Sequence, residues 1–108
     1  MPKKLTYNQK MRALEKNKNG IDFKFSEDRI LADLQEYVEA TYDSHYAQTK
    51  SYQATEIIID QGHGTGFCMG NIMKYAQRYG KKEGHNKADL MKVIHYAIIQ
   101  LSTDHYKE

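Results

Sequence analysis

The segment NKADLMKVIHYAIIQLSTDHY, residues 86 to 106, constrains this chain more than any other. At about 100° per residue of an α-helix, Leu90, Met91, Val93, Ile94, Ala97, Ile98 and Leu101 cover most of its circumference. Only a narrow stripe through Asp89, Lys92, Tyr96 and Gln100 is polar. A helix this apolar requires neighbours on several sides, so it is expected to be central in its domain or to lie in an interface between copies. Asn86 can cap its start, with Asp89 three residues on completing a box-like first turn.

The 108 residues of the whole chain allow one modest core, and a mean hydropathy of -0.82 leaves little apolar material for it. Self-association could supply the missing burial. Upstream, Ser26 followed by Glu27 and Asp28 reads as an N-cap with acids in the first turn, and Ile30, Leu31, Leu34, Tyr37 and Val38 recur at helical spacing. A helix over about 26 to 41 follows, with a break at YDSHY. Residues 52 to 62 carry the strand-favouring triplet Ile57, Ile58, Ile59 among helix-favouring neighbours, and read as a short helix ended by Gly62.

GHGTG, residues 62 to 66, reads as a flexible loop. The next helix runs from Gly66 or Phe67 to Tyr79 and stops at Gly80. Its arcs place Cys68, Met69, Ile72, Ala76 and Tyr79 together, and Asn71, Lys74 and Arg78 on another side. IDFKF, residues 21 to 25, alternates like a half-buried strand, and the lysine-rich residues before it read as an arm. The expected architecture is all-α: a small bundle of about four helices over 26–108, an extended basic arm over 1–25, and an oligomer.

A formal charge of +2 is too slight for nonspecific nucleic-acid binding, which argues against a nucleic-acid partner. The single cysteine, Cys68, excludes an internal disulfide and suits a reducing compartment; it falls on the apolar arc, as a packed thiol. The basic start lacks the apolar core of a secretory signal, and no run reaches membrane-spanning length. The protein is expected to be cytoplasmic, with no membrane partner.

GHGTGFCMGN fits neither the P-loop nor the GxGxxG pattern, although the helix N-terminus that follows could accept a phosphate. Asn71, Lys74 and Arg78, extended by Lys81 and Lys82, offer point charges and a bidentate fork for phosphate; the plain alternative is a solvated helix face. Glu56 and Asp60, four residues apart, and Asp89 could contribute oxygen ligands to magnesium. For Asp89 the plain alternative is a capping acid. The five histidines show no zinc-ligand spacing.

Taken as a set, SHY at 44–46, EII at 56–58, GNIMKYAQRYGKK at 70–82 and DLMKVIHY at 89–96 resemble, in order and spacing, a small bacteriophage-encoded family of unknown function. That family includes the C-terminal part of a nucleotide kinase from lytic podoviruses. The resemblance covers about residues 44 to 101, with Val93 where the family usually has alanine. It implies phage origin, host-cell cytoplasm, oligomeric assembly, and phosphoryl transfer from a nucleoside triphosphate to dGMP or dTMP without a Walker motif. Lys74, Arg78 and Asp89 would then be catalytic. His45, Tyr46, Asn71, Tyr75, Lys81, Lys82 and Lys92 would bind substrate, and Glu56 would hold Mg2+. A site shared between subunits is expected, since so small a subunit would struggle to enclose two nucleotides. In place of the kinase's long cysteine-rich N-terminal region the chain carries the acidic helix 26–41, which leaves a nucleotide-sequestering protein without catalysis as the alternative.

Overall fold

Four α-helices and no strand make up the regular structure of the described residues, which in this computed structural model are residue 6, residues 19–42 and residues 51–106. They are α1 (Glu27–Thr41), α2 (Ser51–Asp60), α3 (Gly64–Arg78) and α4 (Lys87–His105). The all-α expectation is met. The chain divides into two compact units, Met1–Tyr42 with α1 and Asp43–Glu108 with the other three helices. Most of the basic arm and the YDSHY break lie outside the described residues.

In the first unit Ser26 does not cap as expected. Its backbone is left-handed, with φ 56 and ψ 32, and its hydroxyl makes no capping bond. The Glu27 carboxylate instead accepts from the Phe25 N–H at 2.8 Å, and the Ser26 carbonyl accepts from the Ile30 N–H at 2.9 Å. α1 buries Ala32 and Leu34. The IDFKF alternation yields a turn at Lys24 and Phe25 with Ile21 and Phe25 exposed, since so short a run needs a partner strand to satisfy its ladder.

In the second unit the Ile57, Ile58, Ile59 triplet is helical. α2 closes with paired bonds from Gly62 N–H to Ile59 O and from His63 N–H to Ile58 O, both 3.0 Å, the Schellman arrangement. Gly62 takes φ 88 to make that turn. The loop expected at GHGTG is therefore only its first half: Gly64, Thr65 and Gly66 already form the first turn of α3. Gly64 is there for close approach. A Cβ on it would sit 3.0 Å from Ile59 Cγ1 and 3.4 Å from Ile59 Cα.

α3 packs against both α2 and α4. Contacts pair Arg78 with Asp89, Tyr75 with Tyr96, and Thr65 with Gln100, so α3 and α4 run antiparallel. The turn between them is held by the Gly80 N–H donating to Gly84 O at 2.8 Å and by the Tyr79 and His85 rings, edge to face at 5.1 Å. Asn86 caps α4 as expected, its Oδ1 accepting from the Ala88 N–H at 2.9 Å.

The sidedness of α4 follows its hydropathy only in part: Met91 is buried and Val93, Ile94 and Ala97 are half-buried. The stripe Asp89, Lys92, Tyr96, Gln100 meets α3, while Leu90, Ile98 and Leu101 are exposed. On α3 the expected apolar arc is split, with Cys68 buried and Ile72 and Tyr79 half-buried but Met69 and Ala76 exposed, while Asn71, Tyr75 and Arg78 are half-buried. The physical reason is that the aromatic rings and long polar side chains of these stripes interlock through stacking and hydrogen bonds. Among the described residues, Cys68 is the largest fully buried side chain. No helix of the described residues is long and apolar enough to cross a membrane.

Candidate functional site

Helical spacing carries Asn71, Tyr75 and Arg78 of α3 onto the side that meets α4, with Lys74 at its edge. From α4, Asp89, Lys92 and Tyr96 come up one stripe at steps of three and four. The two sets meet around one ring. Tyr75 stacks on Tyr96 with centroids 6.2 Å apart and planes 9° apart, and Phe67 meets Tyr96 edge to face at 5.7 Å. The Lys74 Nζ lies 5.1 Å from the centre of the Tyr75 ring and the Lys92 Nζ 5.5 Å from it. Each ammonium gains from the ring's negative face. Two like charges drawn to one ring repel each other, and a bound anion would relieve that repulsion.

One turn further along, the Arg78 Nε lies 3.6 Å from Asp89 Oδ1, an ion pair longer than a hydrogen bond. Asp89 is 3% exposed, and its Oδ2, like the Arg78 Nε, has no hydrogen-bond partner. Asp89 opens α4 facing Arg78, and no bond ties its carboxylate back to the Asn86 N–H. Its carboxylate thus meets the Arg78 guanidinium instead of closing a capping box, while the residue keeps its place in the first turn of the helix. The Arg78 side chain is still 31% exposed, so part of its fork faces outward.

Asn71 turns its amide to its own helix, donating from Nδ2 to the Phe67 carbonyl at 2.9 Å. Lys81 and Lys82 are exposed in the turn after α3, with their N–H groups bonded to the Arg78 carbonyl. Glu56 is exposed on α2 and joins no group of three His, Cys, Asp or Glu suited to a metal among the described residues. His45 and Tyr46 lie outside the described residues. The structure thus brings together five of the expected residues, Lys74, Tyr75 and Lys92 around one ring and Arg78 with Asp89 one turn along, while Asn71 shares their side of α3 with its amide bonded within the helix.

Three neighbours escaped the sequence reading. Phe67 and Tyr96 complete the aromatic stack, and Tyr96 was legible as the residue one turn beyond Lys92. His95 is the third, 9% exposed beside the cluster. Burial pushes its pKa down, and the nearby Lys92 charge pushes it the same way. A buried histidine held neutral leaves no pattern in sequence. The Cys68 thiol is pushed up, by burial first and by Asp104 second, which matches a packed thiol and not a nucleophile.

A family of proteins of unknown function, DUF3310, matches residues 40–98, more than half of the chain. The chain belongs to the DUF3310 family. No curated protein and no solved structure matches it. The matched span of this DUF3310 protein holds α2, α3 and most of α4, and with them every residue of the Tyr75 cluster.

Proposed function

We propose that the α3–α4 face of this DUF3310 protein binds a nucleotide through its phosphates. The convergence of Lys74 and Lys92, from two different helices, on the Tyr75 ring is the observation that carries it. Beside them Arg78 is oriented by Asp89 and partly exposed, so two point charges and one fork share a face, the set that phosphate recognition uses. Taken with the resemblance to the phage kinase family, the reading is a phage nucleotide-metabolism protein that transfers a phosphoryl group from a nucleoside triphosphate to a deoxynucleoside monophosphate. Such transfer asks the protein for alignment and charge neutralisation more than for covalent chemistry.

Among the described carboxylates Asp89 is engaged with Arg78, and Glu56 is exposed on α2. Magnesium enters this reading only as the ion a nucleoside triphosphate carries. The same observation favours a second reading, in which the face sequesters a nucleotide without turning it over.

The test is incubation of the chain with each deoxynucleoside monophosphate, a triphosphate and Mg2+, followed by ion-exchange chromatography. Diphosphate that disappears in Lys74→Ala and Lys92→Ala supports transfer at this face. Nucleotide binding without diphosphate, lost in the same variants, supports sequestration; absence of both overturns the site.

A further inference from the structure

The side of α4 that turns away from α3 has a regular order of its own. Leu90, Ile94, Ala97 and Leu101 follow at steps of four, three and four residues, the spacing of a coiled-coil seam. Continuing those steps reaches Lys87 at one end of the helix and Asp104 at the other. Lys92, which meets the Tyr75 ring, is nine residues from Leu101, or two and a half turns, so the seam lies on the far side of the helix. Leu90 and Leu101 are 43% and 50% exposed, and Ile98 beside them 39%. Ile94 and Ala97 are half-buried, and Lys87 and Asp104 are exposed.

We infer that this seam is the contact with a second copy of the chain, α4 against α4 in antiparallel orientation. The register selects both the occupant and the direction. Laid antiparallel about a twofold axis between His95 and Tyr96, Leu90 meets Leu101 of the other copy, Ile94 meets Ala97, and Lys87 meets Asp104. All three layers come from one register, and the symmetry repeats each. Apolar layers fill the middle and an opposite-charge pair closes each end. A parallel pairing would set Lys87 on Lys87 and Asp104 on Asp104, with repulsion at both ends.

The seam spans about 26 Å of helix. Its burial supplies what the chain lacks alone: among the described residues the buried apolar side chains are only Ala32, Leu34, Cys68 and Met91. The same geometry leaves the Lys74, Tyr75, Lys92 faces of the two copies on the outside of the pair, so each is complete within its own subunit. This departs from the shared site expected from chain length.

Sedimentation equilibrium of the full chain over a range of concentrations tests the inference. The native chain is expected to form a concentration-dependent dimer. Leu101→Glu, at an exposed position, should weaken that dimer by at least about 100-fold while leaving the far-ultraviolet circular dichroism unchanged. Lys87→Asp and Asp104→Lys should each weaken it, because each sets like charges at both ends. An equimolar mixture of those two variants, or the double variant, should restore it. Asp104 also accepts from Gln100 Nε2 at 2.8 Å and Lys87 has an interaction within its own chain, so the charge-swap mixture, which restores only the pairing between copies, decides the charge arm. A native chain that stays monomeric at every concentration overturns the inference and leaves the seam to a different partner. So does a dimer that survives Leu101→Glu, or a charge-swap mixture no tighter than its components.

Discussion

Tyr75 of α3 and Tyr96 of α4 stack almost in parallel, 9° apart, with the ammonium groups of Lys74 and Lys92 both close to the Tyr75 ring. One aromatic ring therefore joins two helices and sets the spacing of two cations. Replacing Tyr75 by leucine keeps apolar volume and removes the stack and both cation contacts. The expected cost is about 1–2 kcal/mol in urea unfolding, together with weaker nucleotide binding. Binding that remains at full strength would separate the ring from the site.

Arg78 is expected to report on stability as well as on binding. Removing it leaves the Asp89 carboxylate, 3% exposed, without its counter-charge. Arg78→Ala should cost about 2–3 kcal/mol, the upper range for such pairs being reduced because the arginine is partly exposed. Asp89→Asn should cost less, since the amide keeps the shape, its oxygen can still face Arg78, and no uncompensated carboxylate is left buried. A denaturant midpoint unchanged in Arg78→Ala would show that the pair contributes nothing. Lys74 and Lys92 are for this reason the cleaner probes of ligand affinity.

Stability should fall on both sides of neutrality. His95 has a folded pKa below its ordinary 6.5, so the unfolded chain takes up a proton first and stability is lost as pH drops below that value. The thiol of Cys68 has a folded pKa above its ordinary 9.0. The unfolded chain then releases its proton first, and stability is lost as pH rises past 9.0. His95→Gln should flatten the acid limb of thermal melts recorded between pH 5 and 8, and an acid limb of unchanged slope would assign it to other groups.

Gly64→Ala should destabilise by about 1–3 kcal/mol, because the added methyl meets Ile59 Cγ1 at 3.0 Å where α2 and α3 approach. Combined with Ile59→Ala, the two losses should not add, since the shortened side chain makes room for the methyl. Additive losses in that cycle would place the strain elsewhere. Gly80→Ala should cost about 1–2 kcal/mol for a different reason, its φ of 85, with His85 Nε2 also only 3.2 Å from the new carbon.

Helix existence was legible wherever breakers and caps were plain: Gly80 ends α3 and Asn86 starts α4 as read. Facing was legible only in part. Hydropathy treats Tyr96, Lys92 and Gln100 as solvent-seeking, yet each carries a ring or a long stem that packs, while leucines on the opposite side are left over. Ser26 had the side chain of a cap without the backbone for it. In the site, spacing within α3 could place Asn71 and Arg78 on one side, but the meeting of Lys74 with Lys92 depends on the packing of a second helix, which residue order alone does not encode. His95 needed burial to be noticed at all.

The short turn from Tyr79 to Asn86 gives the α3–α4 hairpin a kinetic character. The widest of its specific bonds, Thr65 to Gln100, spans 35 residues, and the Arg78, Asp89 and Tyr75, Lys92 pairs close much smaller loops. Closing small loops costs little chain entropy, and domains built from such local pairings fold in microseconds to milliseconds. The cation-bearing face is thus assembled from the part of the chain that can find its partner fastest.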